Sequence, residues 1–111
     1  ITTHVLDTTR GKPATGITVI LEIQGKSGDW SKLSSGTTDP DGRINDMFKG
    51  GIPFEKGIYR LTFETAAYFR SIQTEGFYPH VQIAFEVKEP SGHYHVPLLL
   101  SPFGYSTYRG S

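Results

Sequence analysis

Apolar and polar residues alternate with period two along most of the chain. In Ile17-Thr18-Val19-Ile20-Leu21-Glu22-Ile23-Gln24 every odd position is apolar, which predicts a strand burying Ile17, Val19, Leu21 and Ile23. Tyr59, Leu61 and Phe63 repeat the pattern against Arg60, Thr62 and Glu64. Val81, Ile83, Phe85 and Val87 do so against Gln82 and Glu86. Late in the chain Tyr94, Val96, Leu98 and Leu100 share one face, while His93, His95, Pro97 and Leu99 share the other. Turn-forming residues punctuate these runs at 11–13, 25–28, 39–42, 50–51 and 89–92. Glycine there supplies positive φ, proline presets φ, and aspartate bonds its own backbone. Short strands divided by turns predict an all-β, antiparallel sandwich.

One segment departs from this period. In residues 65–73, Thr65 reads as a capping residue, and Tyr68, Phe69 and Ile72 follow at helical spacing. This predicts one short helix of about two turns joining two strands. Without internal repeats, low-complexity tracts or linker composition, residues 1–111 are expected to form a single domain.

Composition narrows the function. Eleven Lys+Arg balance eleven Asp+Glu in 111 residues, so no whole-chain field favours nucleic acid or an anionic membrane. The absence of cysteine excludes disulfides, a thiolate zinc site and a cysteine nucleophile. No apolar stretch approaches the ~20 residues of a membrane-spanning helix. A chain of this size buries about two thirds of its unfolded surface, enough for a core without staples, although oligomerisation would help. The sequence opens at Ile1 inside a strand-like run, as expected of a trimmed start whose targeting signal would be lost.

Four features can carry chemistry. His4 alternates with Thr3 and Val5, so it shares a face with Leu6; a lone strand histidine is ordinarily a surface residue. Arg43 follows the Asp41-Gly42 turn, where an arginine is usually a solvated flank unless other polar groups converge on it. His93 and His95, at i and i+2, share a strand face, a spacing that metal sites use, but no carboxylate or further histidine lies nearby in sequence. Pro97 removes an N–H and predicts an edge or a bulge there. The tail is unusual because Tyr105, Thr107 and Tyr108 are good strand formers close to the last residue, which predicts a docked rather than frayed end. Phosphate loops, nucleophile elbows and acidic metal loops are absent. Trp30, Tyr68 and Phe69 are expected in the core.

Taken together, Thr3-His4-Val5-Leu6-Asp7, Gly11-Lys12-Pro13-Ala14, Asp41-Gly42-Arg43, the run from His93-Tyr94-His95 through Ser101-Pro102, and Tyr105-Ser106-Thr107-Tyr108-Arg109-Gly110-Ser111 resemble the transthyretin-related 5-hydroxyisourate hydrolase family. The resemblance runs essentially from end to end. Its most specific element is the terminal Tyr108-Arg109-Gly110-Ser111, which distinguishes the hydrolases from the hormone carrier of the same fold. At the positions of His4, Arg43 and His95 the carrier has other residue types.

The resemblance implies a transthyretin-like sandwich of two four-stranded sheets with one short helix. It also implies a homotetramer, a dimer of dimers with its sites where the dimers meet. The implied reaction is ring opening of 5-hydroxyisourate, a cyclic amide, at N1–C6 during urate breakdown. His4, Arg43 and His95 would be catalytic, and Tyr108, Arg109, Gly110 and Ser111 would bind substrate. Either His4 or His95 would be the general base, since histidine suits proton transfer near neutrality. Arg43 would polarise the scissile carbonyl. No metal or cofactor is expected, nor any nucleic-acid or membrane partner. The resemblance implies a peroxisomal protein in a eukaryote and a cytoplasmic one in a bacterium. The competing readings are a carrier of an aromatic hormone in a central channel and an immunoglobulin-like interaction domain.

Overall fold

The alternating apolar positions become the facing surfaces of two sheets. The structure, a computed structural model, describes residues 1–48 and 52–111. Its elements are β1 (Thr2–Asp7), β2 (Lys12–Pro13), β3 (Thr18–Gln24), β4 (Trp30–Thr37), β5 (Arg43–Ile44), β6 (Gly57–Phe63), α1 (Thr65–Ser71), β7 (Val81–Val87), β8 (His95–Ser101) and β9 (Gly104–Thr107). One sheet has the order β4-β3-β6-β7; the other runs β2-β1-β8-β9, with β5 also paired to β1. Because β8 occupies one side of β1 throughout, β5 and β2 share its other side, β5 beside Thr3 and His4 and β2 beside Leu6 and Asp7. Five strands thus fill the four positions expected of this sheet. The β1–β8 ladder is parallel and the other ladders are antiparallel.

Val5, Val96, Leu98 and Leu100 from one sheet meet Val19, Leu21, Tyr59, Leu61, Phe63 and Val81 from the other, all buried. Burying such side chains contributes about 1.5–3 kcal/mol each before conformational entropy is set against it. Two buried hydroxyls are paired at the seams: Thr3 Oγ1 donates to the Val96 carbonyl at 2.6 Å, and Thr38 Oγ1 to the Ala14 carbonyl at 2.7 Å.

Several expectations need correction, and β8 is itself an inner strand between β1 and β9 despite Pro97. Thr65 is not the helix cap: Glu64 occupies that place without a side-chain cap bond, and Thr65 opens the helix with its hydroxyl buried and unpartnered. The side chain turns inward because the strand–helix junction packs Thr65 in the core. The helix also ends earlier than 73, since Gln73 adopts φ 55° while Thr74 N–H reaches the Phe69 carbonyl and Gln73 N–H the Arg70 carbonyl, a left-handed C-terminal motif. Tyr68 and Phe69 are in the core as expected, whereas Trp30 lies half-buried under the Arg60 guanidinium, 4.2 Å from its ring. Arg60 points outward to Glu22, so Trp30 covers the outer sheet face instead. The turn expected at 50–51 lies outside the described residues.

Candidate active site

The surface of interest is the outer face of the β1–β8 sheet. With Thr3, Val5 and Asp7 buried, strand alternation turns Thr2, His4 and Leu6 outward. The ladders then bring distant residues into rows. His4 stands opposite Arg43 on β5 and opposite Pro97 on β8, while Thr2 stands opposite His95. Directly paired residues share a face, so Arg43, His4 and His95 lie on one surface, with the two rows about 7 Å apart along the strands.

Arg43 reaches its place through a tightly bonded turn. Asp39 Oδ1 accepts from the Asp41 and Arg43 N–H groups, both at 2.9 Å, and the Gly42 N–H donates to the Asp39 carbonyl at 2.8 Å. Gly42 adopts φ 75°, and a Cβ there would lie 2.5 Å from the Val5 carbonyl oxygen, so glycine alone lets the turn approach β1 this closely. The Arg43 side chain is exposed, and among the described residues the ion pair is Glu22–Arg60, so Arg43 keeps its charge for a ligand.

His95 is half-buried, and its Nδ1 lies 2.7 Å from Thr2 Oγ1. Burial lowers its pKa below the ordinary histidine value, the charges of Arg43, His4 and His93 lower it further, and a hydrogen bond to the Thr2 backbone acts more weakly the other way. Neutral imidazole, the form that can accept a proton, is therefore favoured at neutral pH. No sequence pattern singles out Thr2, because its position beside His95 depends on a parallel ladder between opposite ends of the chain.

The tail docks through its backbone. β9 pairs with β8 from Leu98↔Thr107 to Ser101↔Gly104, and beyond it the Gly110 N–H donates to the His95 carbonyl at 2.8 Å. Its side chains divide. Tyr108 and Ser111 are exposed, and the Arg109 guanidinium sits 4.6 Å from the Tyr94 ring centroid while donating to the His93 carbonyl at 3.3 Å. A cavity of about 270 Å³ opens between β7 and the tail, bordered by Phe85, Glu86, Tyr94, His95, Tyr108 and Arg109. His4 and Arg43 do not border it, so His95 alone of the three touches both the cavity and the open face. His93 is exposed. Among the described residues no three His, Cys, Asp or Glu side chains gather as metal ligands. What the face offers is a neutral imidazole, a second imidazole and an uncommitted guanidinium: a base, a proton relay and an anion stabiliser.

A family model described as HIUase/Transthyretin family matches residues 1–110. A Salmonella dublin protein named 5-hydroxyisourate hydrolase is 46% identical over 113 residues, covering 100% of this chain and 80% of that protein. The mouse protein of that name is 39% identical over 112 residues, covering 100% and 94%. Among solved structures, Klebsiella pneumoniae 5-hydroxyisourate hydrolase superposes with a TM-score of 0.85 at 38% identity, covering 99% of this chain and 91% of that one. Transthyretin from Sparus aurata superposes with a TM-score of 0.89 at 30% identity, covering 98% and 94%. Backbone similarity is thus no greater to the hydrolase than to transthyretin, and the residues on the face must carry the functional argument.

Proposed function

The chain belongs to the HIUase/transthyretin family, and we propose on that premise that it hydrolyses 5-hydroxyisourate in urate degradation. Water adds to C6, the N1–C6 bond breaks, and N1 takes up a proton. The product is 2-oxo-4-hydroxy-4-carboxy-5-ureidoimidazoline. One observation carries the reading: His4 and Arg43 are ladder partners on the face that also bears His95. In this reaction His95 removes the proton from water, a role supported by the burial and the Arg43 charge that favour its neutral form. His4 orients that water or returns the proton to N1. Arg43 stabilises the negative charge developing on the C6 oxygen, a contribution of about 10²–10³-fold for one well-placed donor. Tyr108, Arg109, Gly110 and Ser111 form the wall that orients the ring. The scheme uses no metal and no cofactor.

The proposed assembly is a homotetramer, a dimer of dimers with its sites at the dimer–dimer interface. Two features support it. The cluster stands on the outer face of a sheet, with Arg43 exposed and His4 and His95 half-buried, and β9 ends the sheet with exposed Tyr105 and backbone groups open to another strand. Light scattering of the purified protein should give four times the chain mass. The proposed compartment is the peroxisome for a eukaryotic source and the cytoplasm for a bacterial one, to be read by fractionating the source cells.

The deciding experiment follows the ultraviolet decay of freshly generated 5-hydroxyisourate with and without the protein. Strong acceleration that survives exhaustive chelation is expected. No acceleration, together with saturable thyroxine binding, would replace this reading with that of a hormone carrier.

A further inference from the structure

His95 is held from both sides along one cross-strand row. On one side its Nδ1 lies 2.7 Å from the Thr2 hydroxyl, and the backbones are fixed there by the Thr2 N–H donating to the Tyr94 carbonyl at 2.9 Å. On the other side Gly110 presses against the ring: a Cβ built on it would overlap Cδ2 of His95, and would lie 3.2 Å from both Cγ of that ring and Cγ of Pro97. The Gly110 N–H is anchored to the His95 carbonyl, so the glycine cannot simply move away. With Nδ1 turned to Thr2 and Cδ2 to Gly110, the remaining Cε1–Nε2 edge points away from the sheet toward the open face.

We propose that Thr2 and Gly110 are positioning residues, Thr2 accepting the Nδ1–H of His95 so that Nε2 keeps its lone pair for water, and Gly110 supplying the space in which the ring stands. The inference rests on His95 being the base in the reaction above. An imidazole in water favours the Nε2–H tautomer, in which the outward nitrogen cannot act as a base; a hydroxyl accepting from Nδ1 reverses that preference. Besides its place in the wall that orients the substrate, Gly110 therefore acts on the ring of His95, and that requirement is steric. The charged and titratable groups around His95 are Arg43 on β5, His4 on β1 and His93 on its own chain segment, with Glu86, Tyr108 and Arg109 bordering the adjoining cavity.

Thr2→Val keeps the shape and strand preference while removing the acceptor. Its expected effect is a fall in kcat of about ten- to a hundredfold, part of the about 10²–10⁴-fold a positioned general base contributes, with KM little changed. The acid limb of kcat/KM should move to lower pH, because losing an acceptor from Nδ1–H destabilises the imidazolium. Thr2→Ser should restore both. Gly110→Ala should lower kcat by a similar factor while the circular dichroism spectrum stays that of the wild type. Nitrogen-15 spectra of the His95 imidazole at neutral pH read the tautomer directly: Nδ1–H is expected in the wild type and a shift toward Nε2–H in Thr2→Val. That spectrum separates the proposal from its premise, since an inactive protein showing the Nδ1–H form would sink the hydrolase reading yet support the positioning. An Nε2–H wild type would overturn the role of Thr2, as would wild-type kcat and pH profile in Thr2→Val. Unchanged kcat and His95 resonances in Gly110→Ala would overturn the role of Gly110.

Discussion

Tyr68, on α1, donates its hydroxyl to Asp7 Oδ2 at 2.7 Å, tying the helix to the last residue of β1 across 61 positions of sequence. Asp7 is 1% exposed and also accepts the Arg10 N–H from its other oxygen at 3.0 Å, so the tyrosine is one of two donors to a buried carboxylate. The connection matters to function because β1 carries His4 on its opposite face.

Tyr68→Phe leaves that carboxylate underbonded and should destabilise the fold by about 1–3 kcal/mol in urea titrations. The pH dependence has a defined sign. Burial, and then the hydrogen bond to the Asp7 carboxylate, raise the pKa of Tyr68 above its ordinary value. The folded state therefore keeps a proton that the unfolded chain gives up, and stability should decline as pH rises beyond about 10. The mutant should lose this contribution to the decline.

Arg43→Gln should lower kcat/KM by about 10²-fold by removing the charge that faces the developing oxyanion. Its pH profile should change as well. Burial lowers the pKa of His95, and Arg43 is the next contributor. The wild-type acid limb is therefore expected below about pH 6.5, and in Arg43→Gln it should move upward. The folded state resists protonation at His95, so this residue's contribution to stability is present above about pH 6.5 and is lost as pH falls through the folded pKa. An acid limb that stayed in place in the mutant would dissociate Arg43 from His95.

Gly42→Ala should cost about 1–3 kcal/mol from the φ of 75° alone. The added Cβ also meets the Val5 carbonyl oxygen at 2.5 Å and Pro13 Cβ at 3.0 Å, so β5 must shift off β1. Since Arg43 is the next residue, turnover should fall further than the melting temperature predicts, measured by comparing kcat at a temperature where both proteins are fully folded.

Deleting residues 109–111 removes the Gly110–His95 bridge and the Arg109 contact with Tyr94, but no member of the hydrophobic core. Turnover should be abolished while the β-sheet circular dichroism signal persists. A truncated protein with near wild-type kcat would remove the tail from the site.

Much of the architecture was legible because a strand's side chains alternate whatever it pairs with. Ile17, Val19 and Leu21, and Tyr94, Val96, Leu98 and Leu100, occupy the buried faces that their spacing implied. The helix cap was not legible, since Thr65 has the chemistry of a cap and only packing turned its hydroxyl inward. The place of Trp30 was not legible for a related reason: size and apolarity do not say which face of a sheet a strand-end residue covers.

The sequence by itself determined which residues could do chemistry and on which side of each strand they stand, because residue type and period-two alternation are local properties. Pairing is not local. Only the tertiary structure decided that β1 lies parallel to β8 and shares its other side between β5 and β2, and those ladders set Arg43 opposite His4 and Thr2 opposite His95. Register between distant strands is fixed by burial of both inner faces at once, and that condition exists only when the whole sandwich has closed.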